Sequence, residues 1–336
     1  MLKTGIMIAT GFGAATCLIL GATSAESQTI LKFNSPAPPP SYLHKGVFEP
    51  WAQAIEKDAG GSIKIQMSYG GQLGNVAVAY DRLIDGVSDF AFILTGITGG
   101  RFKQQDVAAL PFETRNSLEA ALGLWGAYEK GVTADEYKQV KLLATWAFPN
   151  AAIHSQKPVN TIADLKGARL AINNAIIGGV AIALGASPVT LRPDDVYQAL
   201  SRGTVDASIM PFTGMYTYKI YEVSKSHLDA PLGADAAAVI MNKQKFESLT
   251  AQARAAIEKH SGREFSRTLG IATQTQWQIG HNTVKERLTS LSPDEEARWK
   301  SAMTPITQKW AETTPDGQKV LETFRAEVRA VRTAKP

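Results

Sequence analysis

The sequence has a single cysteine, Cys17, among 336 residues, which excludes a disulfide framework within the chain. Cys17 lies inside an apolar N-terminal segment, and we expect it to be removed together with that segment. The mature protein would then contain no thiol. Export without disulfides is more typical of a bacterial periplasmic protein than of a small secreted scaffold, which usually needs covalent cross-links.

Several signatures of catalysis and metal binding are also missing. The five histidines are scattered, and none shows the H-x-x-x-H spacing of a zinc-binding helix. No Gly-x-Ser-x-Gly nucleophile motif occurs, and the paired acids Asp194 and Asp195 stand where a helix cap is expected. We therefore predict no catalytic residue, no metal site and no cofactor, and we do not expect an enzyme.

Charge is neither abundant nor clustered. The formal net charge is +4, charged residues make up 20% of the chain, and 44% of the residues are hydrophobic, which is ordinary for a soluble globular protein. No run of five basic residues occurs, so nucleic acid is not an expected partner. The length fits one large or two medium domains, and no low-complexity linker separates them.

The N-terminus has the composition of a secretory signal peptide. Lys3 supplies the positive charge, residues 5–22 are apolar and uncharged, and the small residues 23–25 precede an expected cleavage near Ala25. A transmembrane anchor is the alternative, although the segment is short and glycine-rich for a membrane span. We assign residues 1–25 to the signal peptide and expect the mature chain in the periplasm.

Strand and helix patterns alternate in the first part of the mature chain. A proline-rich loop at 35–40 follows the first predicted strand, and its prolines make it stiff and extended. The order βαβαβ is typical of a parallel sheet with covering helices. The predicted strands are 30–34, 63–67 and 89–94, and the predicted helices are 47–59 and 76–85.

A second α/β unit is predicted at residues 161–211. It consists of a strand at 168–173, a helix of small residues that ends near Gly185, a helix from Pro193 to Gly203 and a strand at 205–211. Outside this unit, the predicted helices are 118–130 and 134–139, the predicted strands are 140–146 and 236–241, a long helical region is expected at 245–289, and a further helix begins at Ser292. The strand at 236–241 is expected to return to the first sheet.

Six short motifs occur in a fixed order along the chain. They are GQLG at 71–74, DG at 85–86, DFA at 89–91, LPF at 110–112, DLKG at 164–167 and GTVD at 203–206. In this order they are similar to the solute-binding proteins of TRAP transporters, the tripartite ATP-independent periplasmic carriers, of the dicarboxylate-receptor (DctP) type. Each motif alone is weak, but six in register behind a signal sequence cover nearly all of the mature chain.

The resemblance implies an α/β fold with the two-lobed clamshell of periplasmic binding proteins. Each lobe would be a mixed sheet covered by helices, and a long helix would cross both lobes. We assign residues 26–147 plus 233–275 to lobe I and residues 148–232 plus 276–336 to lobe II. The implied ligand is a small molecule in the interlobe cleft, and the implied partners are the small and large membrane subunits of a TRAP permease.

Three positions depart from the family pattern at places where charges are expected. Ala171 stands where the resemblance implies an arginine that pairs with a substrate carboxylate. Ile209 replaces a common acid, and Asn150 or a neighbour replaces a second arginine. Arg169, on the same strand face as Ala171, and Arg101 are the substitutes considered.

The lost charges and the available aromatic residues predict a pocket for an organic acid with an aromatic or apolar body. A neutral or cationic solute, or a sensor that reports to a membrane kinase, stays open as an alternative. The candidate residues lie at strand ends, where α/β sheets bind ligands, although the aromatic ones could belong to the core and the asparagines could cap turns. They are Tyr42, His44, Thr95, Gly96, Arg101, Trp146, Phe148, Asn150, Arg169, Ala171, Asn173, Met210, Phe212 and Tyr216.

Overall fold

The structure is a computed structural model that describes residues 1–2 and 28–334. The predicted signal peptide, with Cys17 and the expected cleavage near Ala25, falls almost entirely outside these residues. Within the described ranges, no helix combines the length and the apolar character needed to cross a membrane.

The described residues form eleven strands in two separate sheets. The strands are β1 (Thr29–Asn34), β2 (Ile63–Ser68), β3 (Phe90–Leu94), β4 (Val140–Ala147), β5 (Ala152–Ser155), β6 (Arg169–Ile172), β7 (Ser187–Thr190), β8 (Ala207–Met210), β9 (Ser226–Asp229), β10 (Ala236–Asn242) and β11 (Leu288–Ser290).

Twelve α-helices cover the sheets in the described part of the chain. They are α1 (Glu49–Asp58), α2 (Ala79–Ile84), α3 (Ser117–Glu129), α4 (Ala175–Ala183), α5 (Val196–Ser201), α6 (Phe212–Thr217), α7 (Ile220–Val223), α8 (Lys243–Ser248), α9 (Ala251–Lys259), α10 (Arg263–Thr283), α11 (Pro293–Thr313) and α12 (Gly317–Thr333).

The first sheet is mixed and has the strand order β2-β1-β3-β10-β4. Strand β1 runs parallel to β2 and β3, whereas β10 runs antiparallel to β3 and β4. The return of β10 to this sheet agrees with the prediction. Phe33, Phe48 and Trp51 pack against the sheet as an aromatic core, with ring centroids 4.9 Å apart for Phe33 and Phe48.

The second sheet is also mixed and has the order β11-β9-β5-β8-β6-β7. Strand β5 is antiparallel to β8 and β9, and β6 is parallel to β7 and β8. Trp299 and Met303 of α11 are fully buried against this sheet together with Leu170. Two mixed sheets covered by helices confirm the predicted fold class.

Helix α10 crosses from one sheet to the other. Phe265 and Leu269 near its start lie in the core of the first sheet, and Trp277 near its end contacts Phe212 of α6, with ring centroids 5.9 Å apart.

The helical region predicted at 245–289 is not one helix. It breaks into α8, α9 and α10, the last break falling at Gly262, whose φ of +85° suits glycine.

The C-terminal helix α12 packs on α3, which belongs to the first lobe. Val320, Phe324 and Val328 are buried in this contact. The sequence-based division placed residues 276–336 in lobe II, but this helix lies against lobe I. The other lobe boundaries stay a proposal.

Candidate functional site

A cavity of about 320 Å³ lies between the two sheets, at the carboxyl ends of their parallel strands. This is the edge at which open α/β sheets bind ligands, because the loops that follow the strands converge there. The first lobe contributes Tyr42, Leu43, Phe92 and Leu94, and the second contributes Ala171, Ile172, Ile209 and Met210. Most of the lining is therefore apolar.

The proline-rich loop after β1 forms one side of the cavity. Pro36, Pro38 and Pro39 line it, and backbone hydrogen bonds from Gly70 N to Ala37 O at 2.8 Å and from Ser41 N to Pro38 O at 2.9 Å hold the loop. Fixed proline φ angles reduce the number of conformations open to this loop. The side of the cavity that it forms is therefore rigid before a ligand arrives.

Tyr42 ties this loop to the helix that crosses the lobes. Its hydroxyl donates to Thr273 Oγ1 of α10 at 3.0 Å. Burial raises the pKa of Tyr42 well above its ordinary value, against the smaller opposite effect of that hydrogen bond. The side chain is thus neutral, and its ring is what it offers to the cavity.

Two phenylalanines form an aromatic wall. Phe92 of β3 and Phe148, just after β4, have ring centroids 6.5 Å apart, within the range of favourable aromatic pairs. Phe148 N donates to Asp235 O at 2.9 Å, which fixes the backbone at this point. Trp146 stands behind Phe92, at 5.1 Å between centroids, and is completely buried.

Asp235 bridges the two lobes at the edge of the cavity. It precedes β10 in the first lobe, and it accepts from Nδ2 of Asn173 and of Asn174 in the second, both at 2.7 Å. Asn174 also caps α4 by accepting from Ile177 N at 2.9 Å. Burial raises the pKa of Asp235, while the two asparagine hydrogen bonds lower it.

A second acid, Asp106, lies close to this bridge. Burial, and then the charge of Asp235, raise the pKa of Asp106 to about 7. A Cβ on Gly96 would stand 3.4 Å from Asp106 Oδ1 and 3.3 Å from Asn174 Cβ. Because Gly96 has no side chain, Asn174 can lie close to Asp106 and Asp235 at this point.

Polar groups gather at the second-lobe end of the cavity. Among the lining residues in the described ranges, Arg192 is the only arginine or lysine. Its Nε donates to Asp195 Oδ2 at 2.9 Å and its Nη2 to Asp195 Oδ1 at 3.2 Å. Thr213 also lines the cavity, and its buried hydroxyl has no hydrogen-bond partner among the described residues. Tyr218 is a further polar residue of the lining. Burial, and then the charge of Asp194, raise its pKa to about 12.

The cavity brings together five of the residues that the sequence indicated, and a sixth lies beside it. Gly96 borders an adjoining groove that shares Asn173 with the cavity. The five that line the cavity itself are Tyr42, Phe148, Ala171, Asn173 and Met210.

Two predicted arginines lie elsewhere, each paired with an aspartate. Arg101 contacts Asp81 at 2.9 Å and stacks over Tyr80. Arg169 donates from Nε and Nη2 to Asp206 at 3.0 and 2.9 Å. Although Arg169 shares a strand face with Ala171, it stands at the amino end of β6. It is therefore about 7 Å farther from the cavity edge than Ala171 is.

The other predicted residues are held by local contacts away from the cavity. His44 donates from Nδ1 to Pro39 O and accepts from the Ser35 hydroxyl. Thr95 donates to Ala236 O, and Asn150 donates to Thr114 O in a separate groove. Trp146 and Phe212 are fully buried. Tyr216 is 38% exposed, and its ring stacks on that of Tyr221.

Three of the residues that line the cavity were not predicted from the sequence: Arg192, Asp235 and Phe92. Arg192 follows β7, a strand of four residues containing a proline that periodicity does not reveal. Asp235 precedes its strand instead of following it. Because β10 is antiparallel to β3, the start of β10 lies at the same edge as the end of β3, and only the topology shows this.

Comparison with known proteins gives one family and close structural matches. Residues 33–314 match the DctP family, described as bacterial extracellular solute-binding protein, family 7. A protein of Comamonas testosteroni named outer membrane transporter protein TsaT is 25% identical over 327 residues, covering 93% of this chain and 95% of that protein.

Two crystal structures superpose on the chain with a TM-score of 0.85 each. A TRAP solute-binding protein from Rhodoferax ferrireducens T118, in complex with copurified benzoate, is 26% identical, with 90% of this chain and 98% of that chain covered. A marine-metagenome TRAP solute-binding protein specific for aromatic acid ligands, in complex with 3-hydroxybenzoate, is 25% identical with the same coverage.

Proposed function

The chain belongs to the DctP family of bacterial extracellular solute-binding proteins, and on that premise we propose that it is a periplasmic receptor for a small aromatic acid. The family consists of solute-binding proteins that work with TRAP membrane permeases. The receptor captures its ligand between the lobes and delivers it to the small and large subunits of such a permease. It catalyses no reaction.

The observation that carries this proposal is the aromatic wall of the interlobe cavity. Phe92 and Phe148 both line a volume of about 320 Å³, at the lower end of the range typical of small-molecule sites. A flat ring of benzoate size gains contact area and favourable ring stacking there. The two structural relatives with aromatic acids in their complexes support the same ligand class.

The ligand contacts we propose are the five predicted residues that line the cavity and the wall residue Phe92. The rigid proline loop and the rings supply the apolar surface, and Asn173 supplies an amide at the lobe boundary. They are Tyr42, Phe92, Phe148, Ala171, Asn173 and Met210.

Binding titrations with matched ligands test the ligand class. Calorimetry on the exported, signal-free protein is expected to give micromolar or tighter binding of benzoate and 3-hydroxybenzoate. A ligand at a hundred times its dissociation constant should stabilise the fold by about 2.7 kcal/mol, visible as a raised melting temperature. Equal or tighter binding of neutral benzamide or cationic benzylamine would reject an acid receptor.

Scattering and transport measurements test the receptor role itself. Saturating benzoate is expected to reduce the radius of gyration, since clamshell lobes close on their ligand. Proteoliposomes that contain the cognate TRAP permease should take up labelled benzoate only when the receptor is added. Uptake that is the same without the receptor would refute delivery to a permease.

A further inference from the structure

We propose that Arg192 binds the carboxylate of the ligand, assisted by the hydroxyl of Tyr218, and that it sets the preference of the cavity for acids. This inference rests on the proposed function, because it assumes that the ligand is an aromatic acid. Sequence reasoning placed the carboxylate partner at Arg101 or Arg169, and both lie outside the cavity.

The hydrogen bonds of Arg192 leave one edge of its guanidinium open. Asp195 takes Nε–H and one hydrogen of Nη2. A guanidinium has five N–H donors, so both hydrogens of Nη1 and the second of Nη2 remain, and none of these is engaged by a described residue. The Nη1–Nη2 edge has the fork geometry that binds a carboxylate through two parallel hydrogen bonds.

The backbone at Arg192 is fixed beside the second sheet. Leu191 N donates to Ile172 O at 2.9 Å, which ties the segment to the end of β6, next to the lining residue Ala171. Arg192 is extended, with φ −71° and ψ 149°, as expected before a proline. The side chain therefore starts from a defined place at the strand edge, and Asp195 orients it from the other side.

The charges around the cavity make this arginine necessary for an anion. Asp194 and Asp235 also line the cavity, and both would repel a carboxylate. Asp235 is engaged by two asparagine amides, and Asp194 Oδ1 lies 3.7 Å from Arg192 Nε. Without Arg192 the lining would hold only negative charge, and an acid would bind poorly.

Tyr218 provides a second donor near the same place. It lines the cavity, and no described residue forms a hydrogen bond with its hydroxyl. Because burial, reinforced by Asp194, raises the pKa of Tyr218 to about 12, the phenol keeps its proton at neutral pH. A neutral phenol can donate to a carboxylate, whereas a phenolate would repel it.

The test compares two arginines that are paired in the same way. Arg192 and Arg169 each form a two-point pair with an aspartate, and their side chains are 50% and 47% exposed. Calorimetry with benzoate and benzamide is carried out on the wild type, Arg192→Ala, Arg192→Lys and the control Arg169→Ala. All four proteins are checked for the same melting temperature without ligand.

Arg192→Ala is expected to weaken benzoate binding about 10- to 100-fold, the range for a lost hydrogen bond to a charged group. Benzamide binding should not change, so the ratio of the two dissociation constants falls towards one. Arg192→Lys should recover only part of the loss, since an ammonium cannot form the two-point pair. Arg169→Ala should stay within about twofold of the wild type.

Two results would overturn the assignment. Equal benzoate affinity in the wild type and in Arg192→Ala would remove Arg192 from the site while leaving the aromatic-acid receptor intact. Equal losses for benzoate and benzamide would show a structural role only. If Arg192→Ala does not fold, Tyr218→Phe decides, because it must lower benzoate affinity several-fold without affecting benzamide. A wild type that binds no aromatic acid would instead refute the proposed function.

Discussion

Asn174 donates from Nδ2 to Oδ1 of Asp235 at 2.7 Å, and this hydrogen bond runs from one lobe to the other. Asn173 donates to Oδ2 of the same carboxylate, also at 2.7 Å, so both oxygens face the second lobe. Hydrogen bonds to a charged acceptor contribute about 1.5 to 3 kcal/mol each. The pair therefore favours the closed arrangement of the lobes around the cavity.

Asn173→Ala removes one of these two hydrogen bonds, together with the bond that Asn173 Oδ1 accepts from Asn174 Nδ2 at 3.1 Å, and it keeps the Asn174 side chain that caps α4. We expect about 10-fold weaker benzoate binding, because closure becomes less favourable, and a larger radius of gyration at half-saturating benzoate. Calorimetry and small-angle scattering measure the two effects. Asn282→Ala, on the exposed side of α10, is the control, and a similar loss in that variant would contradict the prediction.

Phe148→Ala removes half of the aromatic wall. Loss of ring stacking and apolar contact should weaken benzoate binding about 10-fold or more. The matched variant is Tyr216→Ala, which removes an aromatic residue of α6 that stacks on Tyr221 outside the cavity. Its affinity should equal that of the wild type, and a larger effect of Tyr216→Ala than of Phe148→Ala would contradict the assigned wall.

Asp106 should make the stability of the protein depend on pH. Its pKa rises from an ordinary 3.8 to about 7 in the folded state, so the folded state holds more protons than the unfolded state between these values. The free energy of unfolding therefore falls as pH increases through this window. Asp106→Asn should remove this contribution, which is measured by urea unfolding at pH 5 and pH 8.

The comparison between Asp106→Asn and the wild type is needed because three of the described histidines act in the opposite direction. Burial lowers the pKa of His44 and of His154, and it lowers that of His227 to about 4, so all three favour the folded state as pH rises. The wild type must lose more stability, or gain less, than Asp106→Asn between pH 5 and pH 8. Identical pH profiles would show that Asp106 titrates normally.

Gly280→Ala should disturb the contact between α10 and the second lobe. A Cβ at this position would lie 2.4 Å from Phe212 O, so the helix must move away from α6. We expect a loss of about 2 kcal/mol or more in the free energy of unfolding. Gly179→Ala in α4 has its nearest neighbour at 4.0 Å and should be neutral or stabilising by up to about 1 kcal/mol. Urea unfolding compares the two, and equal effects would contradict the packing.

Local pattern was sufficient for the fold class. The predicted strands at 30–34, 63–67 and 89–94 correspond to β1, β2 and β3. Strands β1 and β2 alternate between buried and more exposed residues, whereas β3 is a continuous run of buried apolar residues. The six motifs also gave the family, which the match over residues 33–314 confirms. Strands β7 and β11 were not predicted, because too few of their residues are buried to create a pattern.

The sequence by itself determined an α/β solute-binding fold and the absence of an arginine at Ala171, since both follow from the order of residues along the chain. Which cation faces the cavity was decided by the tertiary structure alone. Arg101, Arg169 and Arg192 look equivalent in sequence, but Asp81 and Asp206 hold the first two outside the cavity. Asp235 became part of the site because an antiparallel strand begins where the parallel strands end.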